Sequence, residues 1–414
     1  MEIEIKTIID RIEELYECGL QDDGSHTRMA FSQADQKGRD KFIGYFKELG
    51  IEPGVDEAGN IIARMEGEDS GLPAIAIGSH LDTVPDGGKY DGVLGCMAGL
   101  AICEAFIKNG VKPRHSIEVI VFTDEEGFRF GSGLFGSSAI CGKDLGISES
   151  DPDIYGETRK AVMKPYGISL EKIYKAKRKA DSLHCFLELH IEQGARLYKS
   201  QMPIGVVTSI AGVSRVEVQV AGEANHSGST AMPDRRDALA AAADFIGKLP
   251  ELVNQYGNEF TVATVGSIRV EPNSVNVIPG SCTFSLEIRD QDEQLIRLLE
   301  ERSKSSIEET CGKNGCTCRF KNLSYHRPGP MTGWVAGGIE RAVKRRGLPY
   351  LKMPSGAFHD SIVMAEVFPT GMIFVPSING ISHSRHEFTE AEDIKRGLNV
   401  LLEAVKEMDN INLS

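Results

Sequence analysis

The chain has 414 residues, of which 41% are hydrophobic and 26% are charged, a balance that is typical of compact globular proteins and excludes a fibrous repeat or a disordered chain. Its length predicts more than one domain. The 46 Lys and Arg residues against 60 Asp and Glu residues give a formal net charge of -14, which argues against a nucleic-acid partner.

The first residues predict an amphipathic helix rather than a targeting segment. One face of that helix carries the apolar residues Ile5, Ile8, Ile9, Ile12 and Leu15. The segment has neither the cationic start nor the long apolar core of a signal peptide. No window of the chain reaches the ~18 apolar residues of a membrane span, so we expect a cytoplasmic protein with no membrane partner.

Alternating strands and helices predict an α/β catalytic domain. Strand patterns at 73–79, 116–123 and 185–191 alternate with helical patterns at 91–110 and 134–142. Such alternation favours a mixed, mostly parallel sheet flanked by helices.

The pattern changes in the middle of the chain. Between 212 and 328, longer alternating strands and two helices, near 234–249 and 291–311, follow the order strand, helix, strand, strand, helix, strand. This order predicts a ferredoxin-like α+β domain inserted into the first domain. After the segment HRPGPMTG, the α/β pattern returns with a helix at 333–346, a strand at 371–377 and a helix from about Glu390. The catalytic domain is therefore expected to comprise 1–211 and 329–414.

The nine cysteines predict reduced thiols rather than a disulfide framework, because they are scattered through apolar segments. The segment CGKNGCTC, with Cys311, Cys316 and Cys318, is similar to a metal knuckle but lacks a fourth ligand. Its spacing fits the end of a helix that leads into a strand.

Polar residues collect where the predicted strands end, which is where α/β sheets hold their sites. His80 and Asp82 close the first of these strands, and a carboxylate behind an imidazole is the usual support of a metal-bound histidine. A surface His–Asp pair is the alternative. Asp91 precedes a helix and could be its N-cap, although the glycine-rich loop before it could also return it to the strand end.

Glu125 and Glu126 are adjacent acids at the end of the next strand. At the tip of a buried strand they would repel each other unless a cation or a proton stabilised them. His190 and His383 follow two further strands. Each histidine taken alone could be structural.

Taken together, these residues predict two metal sites at the carboxyl edge of one sheet. With one shared carboxylate, each divalent ion obtains three protein ligands and keeps an open position for water. Glu125 is left as the general base. The predicted ligands are His80, Asp91, Glu126, His190 and His383.

Motifs spread over nearly the whole chain resemble the hydantoinase/carbamoylase branch of the dinuclear aminoacylase and carboxypeptidase-type amidohydrolases. They include GSHLDTVPDGGKYDG, FTDEEGFRFGSG, ELHIEQG, NHSGSTAMPDRRDA, PNSVNVIPG and PSINGISHS. The resemblance implies one metal held by His80, Asp91 and His190, and a second held by Asp91, Glu126 and His383. The histidine in ELHIEQG points to this branch, because the related carboxypeptidases usually carry an acid there.

The resemblance also implies roles for other residues. Glu125 matches the catalytic base and Asp82 the residue that orients a metal-bound histidine. His226 matches the histidine that reaches the neighbouring subunit's site and stabilises the oxyanion. The positions that match substrate-binding residues are Gln193, His226, Asn276, Arg289 and Gly356. The inserted segment resembles a lid and dimerisation domain, so a homodimer is expected.

Two positions depart from the family pattern. Phe358 stands where the family usually has a small residue, and its ring could narrow the pocket beside Gly356 and His359. The segment SRHE replaces a more common proline after the His383 loop, and no function is assigned to His386.

The resemblance implies hydrolysis of the carbamoyl group of an N-carbamoyl-L-amino acid, with Zn²⁺, Mn²⁺, Co²⁺ or Ni²⁺ as cofactor. Allantoate amidohydrolase and β-ureidopropionase are the close alternatives, because all three act on small ureido acids. A non-catalytic binding protein on the same fold is the alternative from a different class. The presence of Glu125 and of all five predicted ligands argues against it.

Overall fold

The computed structural model describes Met1 and residues 3–411. The chain forms two compact units. The first comprises Met1–Thr208 and the chain from Pro330 onward, and the second comprises Ser209–Gly329. The sequence predicts an inserted domain from 212 to 328.

The strands of the described residues are β1 (Gly54–Val55), β2 (Ile61–Met65), β3 (Ala74–His80), β4 (Ile117–Phe122), β5 (Leu183–Ile191), β6 (Gly205–Ile210), β7 (Gly212–Ala221), β8 (Asn225–His226), β9 (Val262–Thr264), β10 (Ile268–Glu271), β11 (Val277–Ile278), β12 (Ser281–Asp290), β13 (Thr317–His326), β14 (Gly329–Pro330), β15 (Leu351–Ser355) and β16 (Thr370–Val375).

The α-helices of the described residues are α1 (Ile5–Glu17), α2 (Gln33–Glu48), α3 (Val93–Lys108), α4 (Phe135–Cys141), α5 (Arg159–Met163), α6 (Arg196–Ser200), α7 (Ala238–Tyr256), α8 (Glu293–Lys313), α9 (Gly333–Arg345), α10 (Asp360–Met364) and α11 (Ala391–Asp409). Short 3-10 helices cover Lys164–Tyr166, Ile173–Ala176, Met232–Asp234 and Ile378–Gly380.

The first unit is built on one sheet in the order β1-β2-β4-β3-β5-β16-β6-β14, with β15 paired to β6. Its centre, β4-β3-β5-β16, is parallel, and β2 and β6 flank this centre as antiparallel neighbours. This arrangement confirms the predicted mixed, mainly parallel sheet. Every residue of β3, β4, β5 and β16 is buried, as expected when helices cover a parallel sheet.

The second unit is an antiparallel sheet with two helices packed on it. The strand order is β10-β12-β7-β13, and β9 also pairs with β12. Burial alternates along β12, because one face of the sheet packs against α7 and α8. The predicted helix at 234–249 continues past Pro250 and ends before Gly257. A proline there removes one hydrogen bond, but the buried apolar face of α7 holds the helix on the sheet.

The three cysteines near the end of α8 lie as predicted. Cys311 is in the last turn of α8, and Cys318 is the second residue of β13. All nine cysteines are free thiols.

None of the helices formed by the described residues combines the length and the hydrophobicity needed to cross a membrane.

Three tilted rings pack together near the amino ends of β4 and β5. The His184 and His115 ring centroids lie 4.3 Å apart, and the Trp334 ring centroid lies 5.3 Å from that of His184. His184 Nε2 lies 3.1 Å from the carbonyl oxygen of Met408 in α11. Burial, reinforced by the neighbouring His115, lowers the pKa of His184 from 6.5 to about 4.

This depressed pKa predicts an acid-sensitive contribution to stability. Between pH 6.5 and 4 the unfolded chain binds a proton at His184 that the folded chain does not, so the free energy of unfolding falls as the pH is lowered through this window. His184→Phe keeps an aromatic ring but does not titrate. Thermal unfolding midpoints at pH 7.5 and 5 should therefore differ less in the variant than in the wild type. Equal differences would contradict the assignment.

Candidate metal centre

The predicted metal ligands and Glu125 lie at one edge of the large sheet. His80 is the last residue of β3, and His190 is the penultimate residue of β5. Glu125 and Glu126 follow β4, and His383 lies in the loop after β16. Because these four strands are parallel neighbours, their carboxyl ends bring together residues that are far apart in sequence.

Asp91 lies at the centre of this cluster. Its Oδ1 is 3.5 Å from His80 Nε2 and 3.3 Å from His190 Nε2, whereas its Oδ2 is 3.3 Å from His383 Nε2. Asp91 Oδ1 therefore faces His80 and His190, and Asp91 Oδ2 faces His383. Although burial acts in the opposite direction, hydrogen bonds with His190 and His383 hold the pKa of Asp91 well below its usual range. Asp91 is thus an anion placed between two sets of ligands.

The residue after Asp91 must be glycine. Gly92 has φ of 65°, and a Cβ there would lie 2.5 Å from the ring of His80. The left-handed backbone and the close approach of an imidazole both exclude a side chain. This glycine allows the loop to return Asp91 to the end of β3.

Asp82 braces the acidic pair in addition to facing His80. The His80 ring Nδ1 lies 2.9 Å from the Asp82 main-chain oxygen but 3.8 Å from its carboxylate. The Asp82 carboxylate accepts hydrogen bonds from the backbone amides of Glu125 and Glu126, at 3.3 and 3.2 Å. The imidazole is therefore oriented by a carbonyl, and the carboxylate fixes the turn that carries both glutamates.

Glu125 and Glu126 point toward different histidines. Glu125 Oε2 is 3.7 Å from His80 Nε2, and Glu126 Oε1 is 3.8 Å from His383 Nε2. Burial and neighbouring acids raise the pKa of Glu125 well above its usual value. Burial and the charge of Asp91 raise the pKa of Glu126 to about 7. Both shifts show that negative charge is concentrated here and that a cation would stabilise the ionised forms.

The structure contains four groups of described residues whose ligand atoms lie close enough to hold a metal ion. Two of these groups correspond to the predicted ligand sets. The four groups are His80, Asp91 and His190; Asp91, Glu126 and His383; His80, Glu125 and Glu126; and Glu188, His190 and His359. His190 Nδ1 is close to the Ile191 oxygen, at 2.9 Å, so His190 offers one nitrogen to the cluster. The fourth group therefore competes with the first for that nitrogen.

Glu188 has a different role in the structure. Its carboxylate is fully buried and accepts hydrogen bonds from Ser79 Oγ at 2.8 Å and from Ser361 Oγ at 2.5 Å. These contacts join β3, β5 and the start of α10 beneath the cluster.

Gln193 joins the cluster from the loop after β5. Its side-chain Nε2 donates to Asp91 Oδ2 at 2.7 Å and lies 3.3 Å from His383 Nε2. The His383 side chain is 51% exposed, so the cluster opens to solvent on this side. Gly356 follows β15, and no heavy atom lies within 4 Å of a Cβ added there. Phe358 is half-buried.

Glu387 is a supporting residue that the sequence analysis did not identify. It is 2% exposed, and its Oε1 accepts hydrogen bonds from the backbone amides of Tyr90 and Asp91, at 3.0 and 3.1 Å. Its Oε2 accepts a hydrogen bond from Ser382 Oγ at 2.7 Å, and the same hydroxyl lies 3.3 Å from Asp91 Oδ2. Glu387 therefore joins the loop that carries Asp91 to the loop that carries His383.

Replacing Glu387 with alanine is expected to weaken binding of divalent metal by about 10–100-fold, the range found for groups that support metal ligands. The reason is that the loops carrying Asp91 and His383 are both held by hydrogen bonds to the Glu387 carboxylate, which alanine lacks. Competition against a fluorescent chelator would measure this affinity.

Glu387→Gln is the matched control, because it keeps the shape and one acceptor oxygen and should bind metal more tightly than Glu387→Ala. Equal metal affinity in the wild type and in Glu387→Ala would contradict this role.

The other predicted substrate-binding residues belong to the second unit. His226 in β8 pairs with Val277 in β11, and the carbonyl oxygen of Asn276 accepts a hydrogen bond from the Ser227 amide at 3.0 Å. His226 Nδ1 accepts hydrogen bonds from the amides of Gly228 and Ser229, at 3.0 and 3.2 Å. The neutral ring therefore carries its proton on Nε2, where it can act as a donor.

Arg289 lies in β12, and its Nε donates to Glu287 Oε1 at 2.7 Å. Arg215 Nε donates to the other carboxylate oxygen of Glu287, at 2.6 Å. Glu287 therefore holds two guanidinium groups, and the Arg289 side chain is 22% exposed.

The first unit's cluster fits divalent metal ions. It combines imidazole nitrogens with carboxylate oxygens, the mixture that Zn²⁺, Mn²⁺, Co²⁺ and Ni²⁺ accept. Asp91 offers an oxygen to each set, and both glutamates are more acidic in the presence of a cation than without one.

Comparisons with known proteins show which family this chain and its fold resemble. Residues 76–407 match the peptidase family M20/M25/M40. An N-carbamoyl-L-amino acid amidohydrolase from Geobacillus stearothermophilus is 37% identical over 395 residues, covering 95% of this chain and 96% of the relative. An allantoate amidohydrolase from Bacillus subtilis is 32% identical over 396 residues and covers 95% of both chains. The crystal structure of a hydantoinase/carbamoylase family amidase from Burkholderia multivorans aligns with a TM-score of 0.92 at 31% identity, covering 100% of this chain and 99% of the other.

The chain belongs to the peptidase family M20/M25/M40, which confirms the resemblance found in the sequence. It is a metal-dependent hydrolase that acts on C–N bonds.

Proposed function

We propose that this enzyme removes the carbamoyl group from an N-carbamoyl-L-amino acid. The reaction consumes one water molecule and gives the free amino acid, carbon dioxide and ammonia. The observation that carries the proposal is Asp91, whose two oxygens each face a separate histidine set at the carboxyl edge of the sheet. The 37% identity to an N-carbamoyl-L-amino acid amidohydrolase supports the choice of substrate.

Two divalent ions are proposed per subunit. His80, Asp91 and His190 would hold the first, and Asp91, Glu126 and His383 would hold the second. When bound, such ions lower the pKa of water and polarise a carbonyl oxygen. The residues suit Zn²⁺, Mn²⁺, Co²⁺ or Ni²⁺, and the metal available to the protein then decides which is bound.

Glu125 is the proposed general base. Its carboxylate takes a proton from the attacking water and delivers it to the leaving nitrogen, and Asp82 holds its backbone amide in place. Burial raises the pKa of Glu125 and a neighbouring cation would lower it, and the balance of these two effects would tune this carboxyl for accepting and then releasing a proton.

The second unit supplies the proposed contacts to the substrate. His226 would donate its Nε2–H to the oxyanion, a role that suits the tautomer set by the Gly228 and Ser229 amides. Asn276 and Arg289 would bind the substrate carboxylate, for which a guanidinium fork is well shaped. Gln193 and Gly356 would contact the substrate from the first unit.

We also propose that the second unit forms the lid and the homodimer interface, so that His226 acts on the neighbouring subunit's substrate. The enzyme would work in the cytoplasm, where its nine thiols stay reduced.

Allantoate is the second candidate substrate, because an allantoate amidohydrolase is 32% identical over 95% of the chain. Both substrates present a ureido carbonyl and a carboxylate. One or two pocket residues, worth about 1–3 kcal/mol each, could decide between them, and the half-buried Phe358 is one such residue.

Ammonia release tests the proposal. The purified enzyme is given N-carbamoyl-L-methionine, allantoate or 3-ureidopropionate, before and after exhaustive chelation and after addition of Mn²⁺. We expect the highest kcat/KM for the carbamoyl amino acid, loss of activity on chelation and recovery with Mn²⁺. A higher kcat/KM for allantoate would overturn the substrate assignment. Binding of these ureido acids without ammonia release from any of them would support a non-catalytic binding protein.

A further inference from the structure

One segment of this acidic chain is strongly basic. Residues 159–179 contain eight Lys or Arg residues and a single acid, Glu171, whereas the whole chain has a net charge of -14. We call these residues the basic segment. It lies in the first unit and contributes none of the residues assigned above to the metal centre, so this inference does not depend on the proposed reaction.

The free charge of the basic segment is carried by lysines. Both arginines are engaged: Arg159 lies 3.9 Å from the centre of the Phe130 ring, and Arg178 pairs with Glu118 at 2.5 Å. By contrast, five lysines are exposed, and within the part of the chain that the structure describes none of them forms an ion pair. They are Lys164, Lys172, Lys175, Lys177 and Lys179.

An apolar groove of about 440 Å³ lies beside these lysines. We call it the Tyr174 groove, and its apolar lining includes Leu145, Ile147, Leu170, Ile173 and Tyr174. Lys143, Asp144 and Lys177 also line it. Lys143 pairs with Glu366 at 2.5 Å, and Asp144 Oδ1 accepts a hydrogen bond from the Gly146 amide at 3.0 Å, so the positive charge beside the groove is carried by the exposed lysines of the basic segment. Tyr174 is 68% exposed, so its ring is accessible to a partner.

We propose that the basic segment and the Tyr174 groove form a docking site for an acidic segment of another protein. One aliphatic or aromatic side chain of the partner would enter the groove, and its Glu and Asp residues would face Lys172, Lys175 and Lys177. Charge complementarity selects the anionic partner and speeds its association. The apolar groove supplies an anchor of the kind that dominates binding energy at protein interfaces.

Two features favour a protein segment over other polyanions. A membrane surface is bound by apolar side chains that protrude into it, whereas this apolar surface is concave. Single-stranded nucleic acid is bound by several aromatic platforms in a row, whereas Tyr174 is the one exposed aromatic residue in the basic segment.

Fluorescence anisotropy with a labelled acidic peptide tests the proposal. The probe is a short peptide of Glu and Asp with Leu and Phe at its centre, and a second peptide carries Ser in place of Leu and Phe. We expect the first to bind more tightly to the full-length enzyme. Its binding should weaken as NaCl is raised to about 1 M, where the Debye length falls to ~3 Å.

The main variant reverses the charge of three lysines in the basic segment. Lys172→Glu, Lys175→Glu and Lys177→Glu together should weaken binding of the first peptide by at least about tenfold. The matched control reverses three exposed lysines elsewhere in the first unit, Lys37, Lys112 and Lys395, and should change the affinity much less. Hydrolase activity should be unchanged in both triple variants.

Tyr174→Ala tests the groove separately. It should weaken binding of the peptide with Leu and Phe but not of the Ser peptide. Equal loss in the two lysine variants, or equal affinity of the two peptides for the wild type, would overturn the proposal. So would tighter binding of a single-stranded RNA oligonucleotide, or of vesicles with anionic lipid, if that binding is lost in the same charge-reversal variant.

Discussion

Replacing Glu125 with glutamine is expected to lower kcat by about 10²–10⁴-fold, the contribution usual for a general acid–base group. Glutamine has nearly the same shape but cannot accept a proton from the attacking water. The Glu125 side chain lies in the group formed with His80 and Glu126, but it is not a member of either proposed ligand set. Metal content should therefore stay close to that of the wild type, and steady-state ammonia release with metal analysis of the same sample measures both quantities.

Two controls distinguish loss of the general base from loss of stability and from loss of metal. The thermal unfolding midpoint of Glu125→Gln should not fall, because removing a buried charge from an acidic cluster relieves repulsion. Glu126→Gln alters a proposed ligand and should lose metal together with activity. If Glu125→Gln retains wild-type kcat, or loses its metal in parallel with its activity, Glu125 is not the base.

Replacing Asp91 with asparagine should disrupt both metal positions at once. The neutral amide offers one acceptor oxygen, whereas the carboxylate faces His80 and His190 with one oxygen and His383 with the other. We expect bound metal to fall from about two ions to about one or fewer per chain, with loss of activity. Elemental analysis after dialysis measures the stoichiometry.

The matched control for Asp91 is Glu192→Gln. Glu192 is also a buried carboxylate at the end of β5, but its oxygens accept the Arg196 and Leu197 amides at the start of α6. This variant should keep its metal. A full complement of two ions in Asp91→Asn would rule out a bridging role for Asp91.

The central part of the fold could be predicted because its signals are local. The apolar runs at 73–79, 116–123 and 185–191 became β3, β4 and β5 with shifts of one or two residues at their ends. A parallel strand that is buried on both faces appears in the sequence as a continuous apolar run, so it can be recognised without an alternating polar pattern. Other elements, α2 and β2 among them, were not predicted, because charged residues interrupt their apolar patterns.

The composition of the site could be predicted from where the strands end. His80 and His190 lie at the carboxyl ends of β3 and β5, and Glu125 lies just after β4. Because these strands are parallel neighbours, this placement alone brings the three residues close together. The position of Asp91 depended on a loop conformation. Gly92 is the local signal for it, because only glycine allows the backbone to turn against the His80 ring.

The supporting contacts could not be predicted from the sequence. Glu387 accepts the Asp91 amide across a sequence separation of 296 residues, and Asp82 uses its carboxylate on the Glu125 and Glu126 amides. Arg28, in the segment DDGSHTRMAFS, is fully buried and donates to the Leu81 carbonyl at 2.6 Å. Each of these contacts joins two loops, and no periodic pattern encodes the pairing of loops.

Crystals grown with Mn²⁺ and measured at an X-ray energy where manganese scatters anomalously would test the central claim most directly. The account predicts two peaks per subunit, one on each side of Asp91. The first should contact His80 and His190, and the second Glu126 and His383. Absence of anomalous signal between these side chains, or a single ion that does not touch Asp91, would contradict it.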